Sequence, residues 1–340
     1  MPTELLVLSA RDVHAALSYT WCADAMRDAL LALAAGRAQM PLRTVTRPTG
    51  AAGLVALMPS YLSGAAGDQA SGTYGLKAIC ITPSNPAIGL DTHQGVVLLS
   101  DGGTGEPVAL LNASAVTEIR TAAVSVVATQ LLARPDATEL AVIGTGVQAR
   151  AHVLALDGAL PLTAIRVAGR DPARAAAFAA DLAGQTRVTV QACAGAREAV
   201  AGAGIVVTAT SSPAPVLERD WLEPGVHINA VGACLPTVRE LDTATVASAA
   251  LFADRRESVL TESGDYLLAA AEGAVGPDQI RAELGEVLAG SATGRAAAGE
   301  ITIFESLGLA IEDLAAAARA CAAATRTRGT AAQIGSWLQF

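Results

Sequence analysis

Gly144-Thr145-Gly146-Val147-Gln148-Ala149 follows the apolar run LAVI and leads into AHVLAL. In a turn of this spacing the first glycine permits a tight bend, and the second lets backbone approach a diphosphate. The small sixth residue lets the helix lie close on the strand. The free amides and positive dipole end of that helix then suit an anion. Glycine turns are common, but one set between a strand and a helix is specific for a dinucleotide. The following strand, AIRVAGRDPARA, reaches Gly169-Arg170-Asp171 where NAD sites usually place a carboxylate for the ribose hydroxyl. Arg170 can fork onto a 2′-phosphate and stack on adenine. Asp171 either faces the ribose or caps the helix that opens at Pro172. These residues favour NADP(H) over NAD(H).

A second set of residues precedes the turn. Lys77 interrupts the apolar run YGLKAICI, and Arg120 interrupts the Ala/Val-rich SAVTEIRTAAVSVVATQ. Burial of Lys77 would lower its pKa toward the working range of a proton donor; the alternative is an edge-strand lysine pointing to solvent. Arg43 follows Pro41 in a turn-like segment. His93, in DTHQGVV, is either a proton relay or a satisfied structural histidine. His14, His152 and His227 read as helix-surface or strand-end residues. Cys22, Cys80, Cys193, Cys234 and Cys321 are scattered, without metal-type spacing, and fit reduced thiols in the cytoplasm.

The elements that must position these residues differ between the two parts of the chain. Residues 9–36 show helical apolar spacing and end in a capping glycine. GLVALMPSYL, YGLKAICIT and THQGVVLLSDGGTGEPVALLN read as extended pieces, the last as a hairpin around DGGTGEP. Residues 114–133 read as a long helix with a Ser N-cap, stopped before Pro135. From Glu139 onward LAVIG, IRVAG, VTVQAC, IVVTATS, HINAVG and ALFAD alternate with Ala-rich helical stretches, which implies a doubly wound parallel sheet. The tail TIFESLGLAIEDLAAAARACAAATRT reads as one helix that packs back on the first domain. The class is therefore α/β: a Rossmann-type domain over 118–313, and a discontinuous α+β domain from 1–117 and 314–340.

The 340 residues suffice for two domains. A chain 52% hydrophobic but 3% aromatic builds its core from aliphatic side chains. A net charge of −9 argues against nucleic-acid or anionic-membrane binding. Anionic ligands must then be held by a few placed cations. The start, MPTELLVLSARDVHAAL, lacks a basic n-region before an apolar one. The longest uncharged run, Ala199–Leu217, is interrupted by Pro213 and Pro215 and reads as a strand plus loop. These features describe a soluble protein.

The stretch GLKAICITPSNPAIGLDTHQGVVLLSDGGTGEPVALLNASAVTEIRTAAVS, running into VIGTGVQARAH, closely resembles the ornithine cyclodeaminase/μ-crystallin family. MPLRTV, LMPSY, INAVGACLPTVRELD and TIFESLGLAIEDL extend the resemblance over essentially the whole chain. It implies a substrate-binding and dimerisation domain before the Rossmann domain, a homodimer, and hydride transfer between a nicotinamide and the α-carbon of a small amino or imino acid. By resemblance Arg43 and Arg120 hold the substrate carboxylate and Lys77 handles the proton, with Met58 and Cys234 beside the substrate. Thr121, Thr210, Ser211, Val231, Gly232, Ser306 and Gly308 join residues 144–148 and Arg170 at the nucleotide. Two departures stand out. Cys234 occupies the place where the family's cyclodeaminases carry an aspartate, and Glu305 stands where many members have Lys or Asp. The first, with Arg170, favours an NADPH-consuming reductase of cyclic ketimines over an ornithine or lysine cyclodeaminase. An open-chain amino-acid dehydrogenase and a non-catalytic NADPH-binding protein are the other readings.

Overall fold

Glycine, proline and Asx residues cut the first hundred residues into short apolar runs, and most of these runs become strands. A computed structural model of the chain describes residues 4–64 and 72–339. The chain divides into two units, Met1–Arg120 with Leu309–Phe340, and Thr121–Gly308.

The first unit is built on a mixed sheet of β1 (Glu4–Leu8), β2 (Ala38–Gln39), β3 (Thr44–Thr46), β4 (Leu54–Leu62), β5 (Thr73–Ile81), β6 (His93–Asp101) and β7 (Pro107–Asn112). A C-terminal strand, Ser336–Gln339, adds to β1, and the order continues β1-β7-β6-β5-β4-β2, with β3 also on β4. All pairs are antiparallel except β1 with β7. β5 is therefore central, and the register sets Lys77 opposite Met58 on one side and Val97 on the other. Alternation does the rest. Gly75, Lys77 and Ile79 are buried, whereas Tyr74 and Cys80 are exposed. The buried face lies under the helix Ala310–Thr327, so close that a Cβ added at Gly75 would sit 3.0 Å from the Leu314 side chain.

Three local readings of the sequence are corrected here. Residues 9–36 form two helices, Ala10–Ala16 and Tyr19–Ala34, because the Ser18 hydroxyl accepts from Trp21 N and starts a second helix. The long helix Ala113–Leu132 is capped by Asn112, whose side chain accepts from Ala115 N; Ser114 instead donates its hydroxyl to the His93 carbonyl. TIFE is a strand rather than the start of the last helix.

The second unit is a parallel sheet of β8 (Glu139–Ile143), β9 (Ala164–Ala168), β10 (Val190–Ala192), β11 (Ile205–Thr208), β12 (His227–Ala230), β13 (Ala250–Ala253), β14 (Ile280–Glu283) and β15 (Thr302–Glu305). Its order is β10-β9-β8-β11-β12-β15-β13-β14. Every pair is parallel, as expected of a doubly wound sheet. The order reverses between β8 and β11. In such sheets ligands bind outside the carboxyl ends of the strands at that reversal.

Candidate active site

At the reversal the sequence places its glycine turn. Gly144 has φ +135°, a conformation L side chains rarely adopt, and an added Cβ would meet the Ala209 carbonyl at 2.4 Å. Gly146 is the N-cap of the helix Val147–Ala159, with no side-chain cap and open space where a Cβ would be. The completely buried Ala149 lets the helix lie close on its strand. At the end of β9, Gly169 lies against Thr145 and Arg170 is exposed. Asp171 caps the helix Pro172–Asp181, accepting from Ala173 N at 2.9 Å. Of the two readings of Asp171, its carboxylate serves the cap.

The next two strand ends are tied by a residue the sequence reading passed over. Glu240, 1% exposed, accepts from Thr210 N at 2.6 Å and from Gly232 N at 2.7 Å, which fixes the loops after β11 and β12 to each other. Burial raises its pKa, and these hydrogen bonds oppose the rise. Val231 donates its amide to Thr208 O, while Ser211 is exposed. Cys234 donates its S–H to Val231 O at 3.2 Å. After β15, the Ser306 hydroxyl is buried without a partner among the described residues, and Leu307 and Gly308 donate their amides to Asp254. Glu305 turns inward and accepts from the Ser263 hydroxyl at 3.0 Å. Burial, and after it the neighbouring Asp265, push its pKa well up. Thr121 is buried in the long helix, its carbonyl accepting from Ser125. An open helix start, a left-handed glycine and an orphan hydroxyl together fit a dinucleotide held by residues 144–148, Thr210, Gly232 and Ser306.

The first unit brings Lys77, Arg120, Arg43, His93 and Met58 together. Lys77 is 3% exposed, and its Nζ lies 2.7 Å from Asp313 Oδ2. Arg120, 5% exposed, sends Nε to Asp313 Oδ1 at 3.2 Å and Nη1 to Glu312 Oε2 at 2.9 Å. Burial lowers the Lys77 pKa to about 8; Asp313 opposes that fall, and the charges of Arg120 and Arg43 add to it. A group at that value is mostly protonated at neutral pH yet gives up its proton readily. The pKa of His93 is also lowered, by burial first and then by Lys77. Met58 is buried beside Lys77 on the neighbouring strand. The edge-strand reading of Lys77 therefore falls, because β5 is flanked on both sides and Lys77 faces the covering helix.

The sequence and the fold have counterparts among known proteins. The model of the ornithine cyclodeaminase/mu-crystallin family matches residues 3–325. The chain belongs to this family. It is 38% identical to ketimine reductase mu-crystallin of Mus musculus over 282 residues, covering 83% of this chain and 84% of that protein. Among solved structures, Δ1-pyrroline-2-carboxylate reductase of Thermococcus litoralis in complex with NADH and L-proline is 35% identical, with a TM-score of 0.91 over 97% of this chain and 99% of that one. An archaeal alanine dehydrogenase dimer with bound NAD is 31% identical, with a TM-score of 0.90 over 99% and 100%.

Within this family member the choice of cation is itself informative. The chain has 23 Lys and Arg residues, and Lys77 is its only lysine. At every other basic position a guanidinium suffices; here a titratable ammonium is kept. Glu312 and Asp313 are what sequence reading missed in this unit. AIEDL looks like the acidic first turn of any helix, and the adjacency of two carboxylates to an Ala-rich run was the only signal.

Proposed function

We propose that this family member is an NADPH-dependent reductase of small cyclic imino acids, converting Δ1-pyrroline-2-carboxylate or Δ1-piperideine-2-carboxylate into proline or pipecolate. The observation that carries the reading is the buried Lys77, tuned by its surroundings to about 8 and set among Arg43 and Arg120. Arg43 and Arg120 bind the substrate carboxylate, for which the arginine fork is suited. Lys77 gives its proton to the imine nitrogen. When bound, the reduced nicotinamide supplies the hydride that the imine carbon receives. Hydride and proton together saturate the C=N bond, and a neutral Lys77 is left to take up a proton from solvent. A non-catalytic nucleotide binder would need no such cations.

Cys234 supports reduction over ring-closing deamination: its S–H is directed to a backbone carbonyl, and a thiol cannot anchor a distal ammonium as a carboxylate does. Arg170 supports NADPH, since Asp171 is engaged as a helix cap. The functional unit is a homodimer joined through the first unit's sheet. The five cysteines, none of which forms a disulfide among the described residues, fit a cytoplasmic protein. The test is NADPH oxidation with each of the two imino acids, beside parallel assays of NAD with ornithine, lysine and alanine. Turnover is expected with the cyclic imines; ammonia release from ornithine without imine reduction would overturn the reading.

A further inference from the structure

We propose that Asp313 is the positioning residue of the site: its carboxylate holds the Lys77 ammonium and the Arg120 guanidinium in one fixed geometry. The inference rests on the reading of Lys77 as proton donor. Asp313 is 1% exposed, and each of its oxygens meets a different cation, Oδ2 at 2.7 Å from Lys77 Nζ and Oδ1 at 3.2 Å from Arg120 Nε. The three groups come from three elements: β5, the long helix Ala113–Leu132 and the C-terminal helix Ala310–Thr327. One shared carboxylate joins Lys77 on its strand to Arg120 on its helix.

Asp313 lies in the first turn of its helix, where the dipole stabilises an anion. Glu312, beside it, accepts from Leu309 N at 3.2 Å and closes on Arg120 Nη1, so the helix start and the arginine are locked together. The charged or titratable groups facing Lys77 are then Asp313 and Glu312 from this helix, Arg120 from the long helix, Arg43 from the segment before β3, and His93 from β6. Remove the Asp313 charge, and a buried ammonium is left facing two guanidiniums with Glu312 as the remaining counter-charge. The protonated form then becomes the costly one, and Lys77 loses its proton at lower pH. Enzyme activity that needs a protonated Lys77 fails on the alkaline side earlier.

A buried ion pair is weak evidence of a contribution to stability. A merely structural Asp313 would change the melting temperature when replaced and leave the reaction's pH dependence alone. The single lysine allows the difference to be measured directly. Protein grown with [13Cε]lysine carries one labelled side chain in the whole chain, so its NMR titration reports Lys77 alone. The wild-type midpoint is expected at about 8. In Asp313→Asn it should fall by about one pH unit or more, and the alkaline limb of kcat/KM for imine reduction should move down with it. Asp313→Glu keeps the charge but displaces it. It should retain a midpoint near the wild type while kcat falls, which keeps the test alive if Asp313→Asn does not fold. An Asp313→Asn resonance that titrates like the wild type would overturn the proposal, as would a resonance that moves while the limb stays. Full activity in Lys77→Ala would instead remove the donor role of Lys77, and the resonance would still show whether Asp313 governs the ammonium.

Discussion

Lys77, Arg43 and Arg120 carry like charges into one site, yet they should fail differently when removed. Lys77→Ala should lower kcat by roughly 10²–10⁴-fold, the usual scale for a lost general acid, with NADPH affinity nearly intact. Lys77→Arg should not rescue it, because a guanidinium stays protonated and cannot donate. Arg43→Ala should mainly raise KM, since a carboxylate contact serves ground state and transition state alike. Arg120→Ala should raise KM and also lower stability by about 3–5 kcal/mol, because it leaves the buried Glu312 without its cation and Asp313 with Lys77 alone. Steady-state kinetics beside denaturant unfolding separate these outcomes; an Arg120→Ala as stable as the wild type would contradict the buried network. Lys77 and Arg120 were legible in the sequence because each interrupts an apolar or Ala-rich run; Arg43, in a turn-like segment, came from the family resemblance alone. The counter-ions were not legible. An acid in the first turn of a helix already has a sufficient local reason to be there, and only packing shows that it also faces a cation.

Elements were legible where their period or their turn chemistry was unambiguous. β8, its glycine turn and the following helix announce themselves by spacing, and the doubly wound sheet follows from the alternation. TIFE was not separable from the helix after it. Three apolar or β-branched residues and a glutamate, without alternation, fit a fully buried strand and a helix start equally well, and β15 is buried along its whole length between β12 and β13. The Asn112 cap was missed for a similar reason: Ser114 is an equally good capping residue by type, and only the helix start decides between them. The element-scale prediction concerns the end of β9. There Arg170 is exposed, and Asp171 is committed to Ala173 N. NADPH should therefore bind at least tenfold more tightly than NADH, about 1.4 kcal/mol. Arg170→Ala should remove most of that margin by weakening NADPH, with NADH little changed. Fluorescence titration of both nucleotides decides it, and equal affinities in the wild type would refute the 2′-phosphate role of Arg170.

At the scale of the whole molecule, the two faces of the first unit's sheet are unequal. One face carries Lys77 and lies under the helix Ala310–Thr327. The other presents Leu57, Tyr74, Val96 and Val108 as exposed side chains on β4, β5, β6 and β7, with the partly buried Val55, Leu76, Leu98 and Leu110 between them. The register places all eight on the same side: Leu57 pairs with Ala78, Ala78 with Val96, and Leu98 with Leu110. Alternation alone would have put polar residues on a solvated face. A contiguous apolar patch of this kind marks an association surface. A second copy of the same chain is the simplest cover, since a two-fold axis makes one patch complementary to itself. Stable interfaces of standard size cover about 800 Å² per partner, a scale that four adjacent strands can supply. Light scattering at micromolar concentration should give the mass of a dimer. Leu98→Arg, which sets a charge in the middle of the patch, should shift the mass toward the monomer while leaving NADPH binding by the second unit intact. A wild-type monomer, or a Leu98→Arg dimer of unchanged affinity, would show that this face is not where two copies meet.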